Sequence, residues 1–168
     1  EWCIGLWWKL RPDHPLLAIH HSLILRETGR PFQAITLLKR ISKQYPGHPL
    51  INHALGKAQF DAGHHNDAAY SFQQALNSNP EWGEVHFNLG LALAHLKRHE
   101  RAAAAFRRVI QRHPNHYKAH YNLGLVLETL QQLDAALAAY QQAISLRPDE
   151  VDPHLRIGYL LTDLGRLE

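Results

Sequence analysis

The sequence predicts an all-α protein, a solenoid of antiparallel helix pairs, and three observations carry that prediction. The first is a period of 34 residues: setting Gly83–His116 against Tyr117–Glu150 without a gap gives 12 identities in 34 positions, most of them apolar or small. The second is that the same ruler extends along the chain. Prolines fall at Pro12, Pro46, Pro80, Pro114 and Pro148, alanines at Ala34, Ala68, Ala102 and Ala136, and glycines at Gly56, Gly90, Gly124 and Gly158, with Ser22 in the earliest slot. The third is spacing within the period, where apolar residues recur every three or four positions as on one face of a helix. A unit this short cannot bury its apolar face alone, so successive units must stack.

Four full units follow, Pro15–His48, Pro49–Trp82, Gly83–His116 and Tyr117–Glu150, and then a first half-unit, Val151–Glu168. In the first unit Gly29-Arg30-Pro31 marks the turn, with Gly suited to the end of one helix and Pro to the start of the next. His21 there falls in a core slot, where a hydrogen-bonded imidazole is expected. The second unit turns at Ala62–Asp67, with Asn66 or Asp67 as the expected helix cap and His64 and His65 as exposed turn residues. In the third, Val85, Leu89, Ala92, Leu93 and Leu96 form one face and Ala102, Ala105, Phe106, Val109 and Ile110 the facing one. Gly90 and Ala102 let the two helices approach closely, and Phe106 fills what remains. The fourth unit repeats this with Gly124, Ala136 and Tyr140. Each proline of the recurring column follows the last turn of a second helix, whose hydrogen-bond ladder it cannot extend.

His86-x2-Leu89-Gly90-x2-Leu93, Ala102-x3-Phe106 and Pro114 resemble the tetratricopeptide repeat, whose pattern is W-x2-L-G-x2-Y, A-x3-F and P. His86, His120 and His154 stand where that family has Trp, and Leu93 and Leu127 where it has Tyr. The resemblance covers Pro15–Glu168 and implies a right-handed superhelix with a concave groove lined by the first helices. It further implies that a partner protein or peptide is held there by Ile19, Leu23, Phe87, Leu91, Tyr121, Leu125 and Tyr159, flanked by Lys57, Asn88, Lys118 and Asn122. The alternative is that these apolar residues only touch the neighbouring unit. The family's carboxylate clamp, built from Lys and Asn on successive first helices, is not expected, because Ile19, Leu23, Phe87 and Leu91 occupy those positions.

Residues 1–14 read as an N-terminal cap or the tail of a preceding repeat, since Leu10-Arg11-Pro12-Asp13 repeats Leu146-Arg147-Pro148-Asp149. Trp2, Trp7 and Trp8 would cover the end of the stack; the alternative is a segment just beyond a membrane span, with indoles at the interface. The chain has no Met and stops inside a repeat, so it is expected to be a piece of a longer polypeptide. No run approaches the roughly 18 apolar residues that cross a bilayer. One cysteine, Cys3, excludes an internal disulfide framework. A cytoplasmic location is the default expectation, with a membrane-anchored cytoplasmic or periplasmic protein the alternative if an anchor precedes Glu1.

No phosphate-binding loop, dinucleotide fingerprint, nucleophile elbow or HExxH occurs, so no enzyme chemistry and no cofactor are expected. Fourteen histidines include the pairs His95/His99 and His116/His120 at helical spacing, but no further ligand of standard spacing converges on them, and no metal site is expected. Lys97, Arg98, Arg101, Arg107, Arg108 and Arg112 face only Glu100 in a basic stripe that reads as a solvated face rather than a nucleic-acid surface. The leading expectation is a non-catalytic interaction scaffold binding a peptide or helix, with self-association through exposed repeat ends a further one. Its rival is a substrate-recognition arm of a larger enzyme, of glycosyltransferase or sulfotransferase type.

Overall fold

Pro15, Pro31 and Pro49 each stand in the first turn of a helix, where the missing N–H has no intrahelical acceptor to lose. From such starts the computed structural model builds nine helices and no strand among its described residues, 14–163. They are α1 Pro15–Glu27, α2 Pro31–Gln44, α3 Pro49–Asp61, α4 His65–Ser78, α5 Gly83–His95, α6 His99–Arg112, α7 Tyr117–Thr129, α8 Leu133–Leu146 and α9 Val151–Asp163. This is the all-α solenoid repeat that the period predicts. The expectation for the cap falls on residues that, His14 apart, lie outside the described ones.

Two compact units divide the chain, Glu1–Ala92 and Leu93–Glu168. Within the first, α2 packs on α1 and α3, α4 packs on α3, and α1 also touches α3. Within the second, α7 lies against both α6 and α8, and α8 against α9. The first unit's core runs through Ala18, Leu25, Ala34, Leu38, Ile41, Ile51, Leu55 and Ala58, all buried.

One backbone device recurs between the helices of a pair. Gly29, Gly63, Lys97 and Gln131 occupy one column and all adopt positive φ, +72°, +78°, +58° and +59°. Each closes the same motif, in which the N–H of the following residue reaches back to a carbonyl five residues earlier, as Arg30 to Leu25 and Gln132 to Leu127. Glycine adopts this conformation without strain, whereas Lys97 and Gln131 bear a Cβ there.

Close approach within a pair is enforced elsewhere. A Cβ built on Gly56 would lie 2.6 Å from Phe72 Cδ1, and one on Gly124 would collide with the Tyr140 ring. Both aromatic rings are fully buried, so neither can swing aside. The second pair also hides a polar contact: Ser71 Oγ donates to Gln59 Oε1 at 2.6 Å, at positions where the fourth repeat has Ala139 and Leu127.

Two sequence expectations need correction. His21 is only half-buried, and the fully buried side chain beside it is Ser22, whose hydroxyl donates to Ile19 C=O at 2.6 Å. The small residue in the glycine column takes the interior, which turns His21 toward the edge. Neither Asn66 nor Asp67 caps α4, because the helix starts earlier at His65 with His64 at the cap position and no side-chain cap bond.

Gly124→Ala should therefore lower stability by about 1–3 kcal/mol through overpacking, whereas Gln131→Gly should raise it by roughly 0.5–1 kcal/mol by relieving the left-handed turn. Urea denaturation of both variants checks the pair of opposite signs.

Candidate functional site

The residues at 19/23, 53/57, 87/91, 121/125 and 155/159 stand four apart on each first helix, as on one helical ridge. In the first unit, α1 presents Ile19, half-buried, and Leu23, 41% exposed. From α5 come Phe87, Asn88 and Leu91, all half-buried. α3 contributes Lys57, and beside it a residue absent from the expected site, His53.

His53 is buried against aromatic rings, with Trp82 at 4.7 Å and Phe72 at 6.0 Å between centroids. Its Nε2 accepts a hydrogen bond from Asn88 Nδ2 at 3.1 Å and lies 3.6 Å from Glu84 Oε1. Burial pushes the His53 pKa down to about 4; Glu84 opposes the shift, and Lys57 and Arg26 reinforce it. His53 is thus neutral near pH 7, which is the form that can accept from an amide. Lys57 Nζ is engaged by Glu84 Oε1 at 3.3 Å, and Arg26 by Asp61 at 2.6 Å. Of the expected polar contacts, Lys57 and Asn88 thus already hold partners within their own unit.

The second unit is built differently. Tyr121 on α7 stacks on Tyr117, rings 6° from parallel with centroids 6.3 Å apart, and lies 6.0 Å from Tyr140. The Tyr140 hydroxyl donates to Glu128 Oε2 at 2.6 Å, and Glu128 Oε1 accepts from Arg156 Nη1 at 3.3 Å. Burial, and then this bond, drive the Tyr140 pKa far above the usual phenol range. The Arg147 guanidinium sits over the Tyr117 ring at 5.2 Å. Leu125 is half-buried, Lys118 is exposed, and Asn122 spends its amide N–H on the Lys118 carbonyl at 2.7 Å. On α9, Val151, Leu155 and Tyr159 form a stripe with exposures of 64%, 52% and 64%.

The recurring histidines also acquire a role that the sequence reading missed. His86, His120 and His154 each turn Nε2 toward the carbonyl of Pro80, Pro114 and Pro148, at 2.7, 2.7 and 2.9 Å. A carbonyl only accepts, so each ring carries its proton on Nε2 and ties a first helix to the end of the preceding second one. The signal was present as a Pro-x5-His spacing stated three times. His116 works in reverse, its Nδ1 accepting from the Ala119 N–H at 3.1 Å as a helix cap. Among the described residues no three His, Cys, Asp or Glu side chains are grouped so as to hold a metal ion. The basic side chains Arg101, Arg107, Arg108 and Arg112 of α6 are exposed.

Comparison with known proteins bears on this arrangement. The family described as "Tetratricopeptide repeat" matches residues 20–48 in one of its models and 53–116, 99–151 and 121–168 in another. Among solved structures, a crystal structure of MamA is 26% identical, covers 90% of this chain and 83% of its own, and superposes with a TM-score of 0.85. A second MamA crystal structure is 28% identical, with 86% and 85% covered and a TM-score of 0.83. YrrB, described as a TPR protein with an unusual peptide-binding site, is 17% identical over 98% of this chain and 85% of its own, TM-score 0.83. No curated protein matches.

The folded His53 pKa lies below the ordinary 6.5, so as pH falls the unfolded chain takes up this proton first. The stability His53 contributes is complete above about 6.5 and is lost on the way down to about 4. Between about pH 7 and pH 5 the loss should amount to about 2 kcal/mol. Urea titrations at the two pH values, with His53→Gln beside the parent, isolate it: the variant should lose less, by that amount.

Proposed function

The chain belongs to the tetratricopeptide-repeat family, a fold of protein-interaction scaffolds, and from that premise we propose that it is a non-catalytic scaffold holding a peptide or helix of a partner protein against the ridge of its first helices. The observation that carries this reading is apolar surface left uncovered where helix pairing has no use for it. On the second unit Leu155 and Tyr159, four apart on α9, are 52% and 64% exposed, and on the first unit Leu23, four residues after Ile19 on α1, is 41% exposed. Uncovered apolar side chains grouped on one helical face mark partner sites more often than chance exposure does. Tyr is among the residues that dominate binding energy at interfaces, because it gives a large rigid area and a polar tip.

The polar neighbours divide by strength. The Lys57–Glu84 pair is solvent-accessible and worth about 0.2–1 kcal/mol, so a partner carboxylate or backbone group can displace it at little cost. On the second unit Lys118 is exposed, which suits it to an acidic or carbonyl group of a ligand there. On the first unit Ile19, Phe87 and Leu91, half-buried, would supply a floor and Asn88 its polar edge; on the second, Tyr121 and Leu125 would supply the floor and Asn122 the edge. YrrB, with its peptide-binding site, favours a peptide as the class of ligand; at 17% identity that likeness carries the fold and not the residues.

Capture of a partner on the immobilised protein, followed by titration of the identified segment, tests the reading. The double variant Leu155→Ala, Tyr159→Ala should weaken binding about tenfold or more, as loss of an aromatic anchor does, with helicity unchanged. A partner that binds both proteins equally would remove α9 from the site.

A further inference from the structure

We infer that the exposed face of α6 is a second docking surface, which takes a short acidic segment of a partner protein and holds its carboxylates with Arg101, Arg107 and Arg108. The face belongs to the second unit alone and is independent of what the ridge of first helices binds. Three observations carry the inference.

The first is that the repeat has no use for these charges. Lys97–Arg112 holds six basic residues and one acidic, Glu100. One period earlier the columns of Arg101, Arg107 and Arg108 hold Asp67, Gln73 and Gln74, and one period later Ala135, Gln141 and Gln142. Both α4 and α8 thus form without a cation in any of the three columns. On α6, Arg108 and Arg112 stand four apart, a spacing at which like charges oppose the helix.

The second is arrangement. Ala102, Ala103, Ala105, Phe106 and Val109 are buried, which leaves an exposed arc of Arg101, Ala104, Arg107, Arg108, Gln111 and Arg112. At 3.6 residues per turn, Arg101, Arg108 and Arg112 fall within about 40° of one another and span about 16 Å along the axis. Ala104, between Arg101 and Arg108, adds only a methyl group to this face. Among the described residues no ion pair takes up Arg101, Arg107 or Arg108.

The third is the chemistry that selects the partner. A guanidinium grips a carboxylate with two parallel N–H bonds, and arginine is enriched at protein interfaces where lysine is depleted. Five of the six cations here are arginine. The exposed arc has no apolar side chain larger than Ala104 to enter a bilayer and no aromatic ring to stack on a base. A long polyanion would also reach past α6 onto α7–α9, where Tyr117–Asp163 carries six acidic residues against three basic. A short run of Asp and Glu meets the arginines without that repulsion.

The probe is a fluorescent oligoglutamate of about eight residues, enough to span the row when extended, titrated into the full chain at low salt, where exposed charges are least screened. Arg101→Gln, Arg107→Gln and Arg108→Gln together should weaken its binding about tenfold or more, with circular dichroism unchanged. The control Lys39→Gln, Arg40→Gln, Lys43→Gln, which removes the same charge from α2, should stay within about twofold of the parent. Should the triple α6 variant lose helicity, Arg107→Gln with Arg108→Gln, the pair that α4 and α8 already carry, takes its place. Binding retained by the folded α6 variant, or lost equally from the control, overturns the inference, and so does a parent that does not bind the peptide. Duplex DNA or phosphatidylserine vesicles held more tightly than the peptide by the same arginines would give the face to phosphate and overturn it too.

Discussion

Everything in this fold follows from how closely the two helices of a repeat can approach, and that distance is set by a glycine facing an aromatic ring. Gly56 against Phe72 and Gly124 against Tyr140 leave no room for even one methyl group. Interiors are packed to crystal density, so an added carbon must displace something. Here the displaced group would be a ring buried on all sides, and in Tyr140 one also anchored through its hydroxyl to Glu128. The first repeat solves the same problem with Ser22, whose short side chain turns its hydroxyl back onto Ile19 C=O and so adds no unsatisfied polar group to the core.

Once that face of each first helix is committed inward, the connection to the preceding second helix must be made by other groups. Histidine makes it three times. The Nε2–H donors of His86, His120 and His154 satisfy Pro80, Pro114 and Pro148 carbonyls at chain turns, where proline has ended the helix and its last acceptors lack helical partners. A ring with a polar tip does what the family's tryptophan position requires, filling space and offering one N–H donor. The departure from the family pattern at these positions is therefore a change of side chain that keeps a ring N–H donor and adds an acceptor nitrogen.

Much of this was legible in the sequence because periodicity restates it. Helix number, the turns and the Gly–aromatic columns each appear several times in 168 residues, and repetition separates a structural demand from accident. What occurs once was not legible. His53 has no histidine counterpart one period on, where Phe87 stands, and nothing local indicates that Trp82 and Phe72 will close over it or that Asn88 will donate to it. The cap of α4 was misread for a similar reason: propensity favours Asn66 and Asp67, but the packing of Ala68, Ala69 and Phe72 sets where the helix runs, and its cap position falls at His64, two residues before the one and three before the other. The left-handed turns at Lys97 and Gln131 escaped notice because the glycines that announce the conformation at Gly29 and Gly63 are absent there.

The same contrast separates the first-helix faces of the two units by how readily they can change. In the first, charge is held by surface pairs such as Lys57–Glu84, and pairs of that kind are worth a fraction of the energy of one buried aromatic contact. Rearranging them costs little, except that His53 beneath them must stay neutral, because charging a buried imidazole costs far more than a surface pair returns. In the second, Tyr140, Glu128 and Arg156 form a chain of hydrogen bonds rooted in the core, and removing one member would leave a carboxylate or a phenol without its partner. That network is fixed by folding. The first face thus offers a ligand exchangeable charge, and the second a rigid framework from which Lys118, Val151, Leu155 and Tyr159 stand exposed.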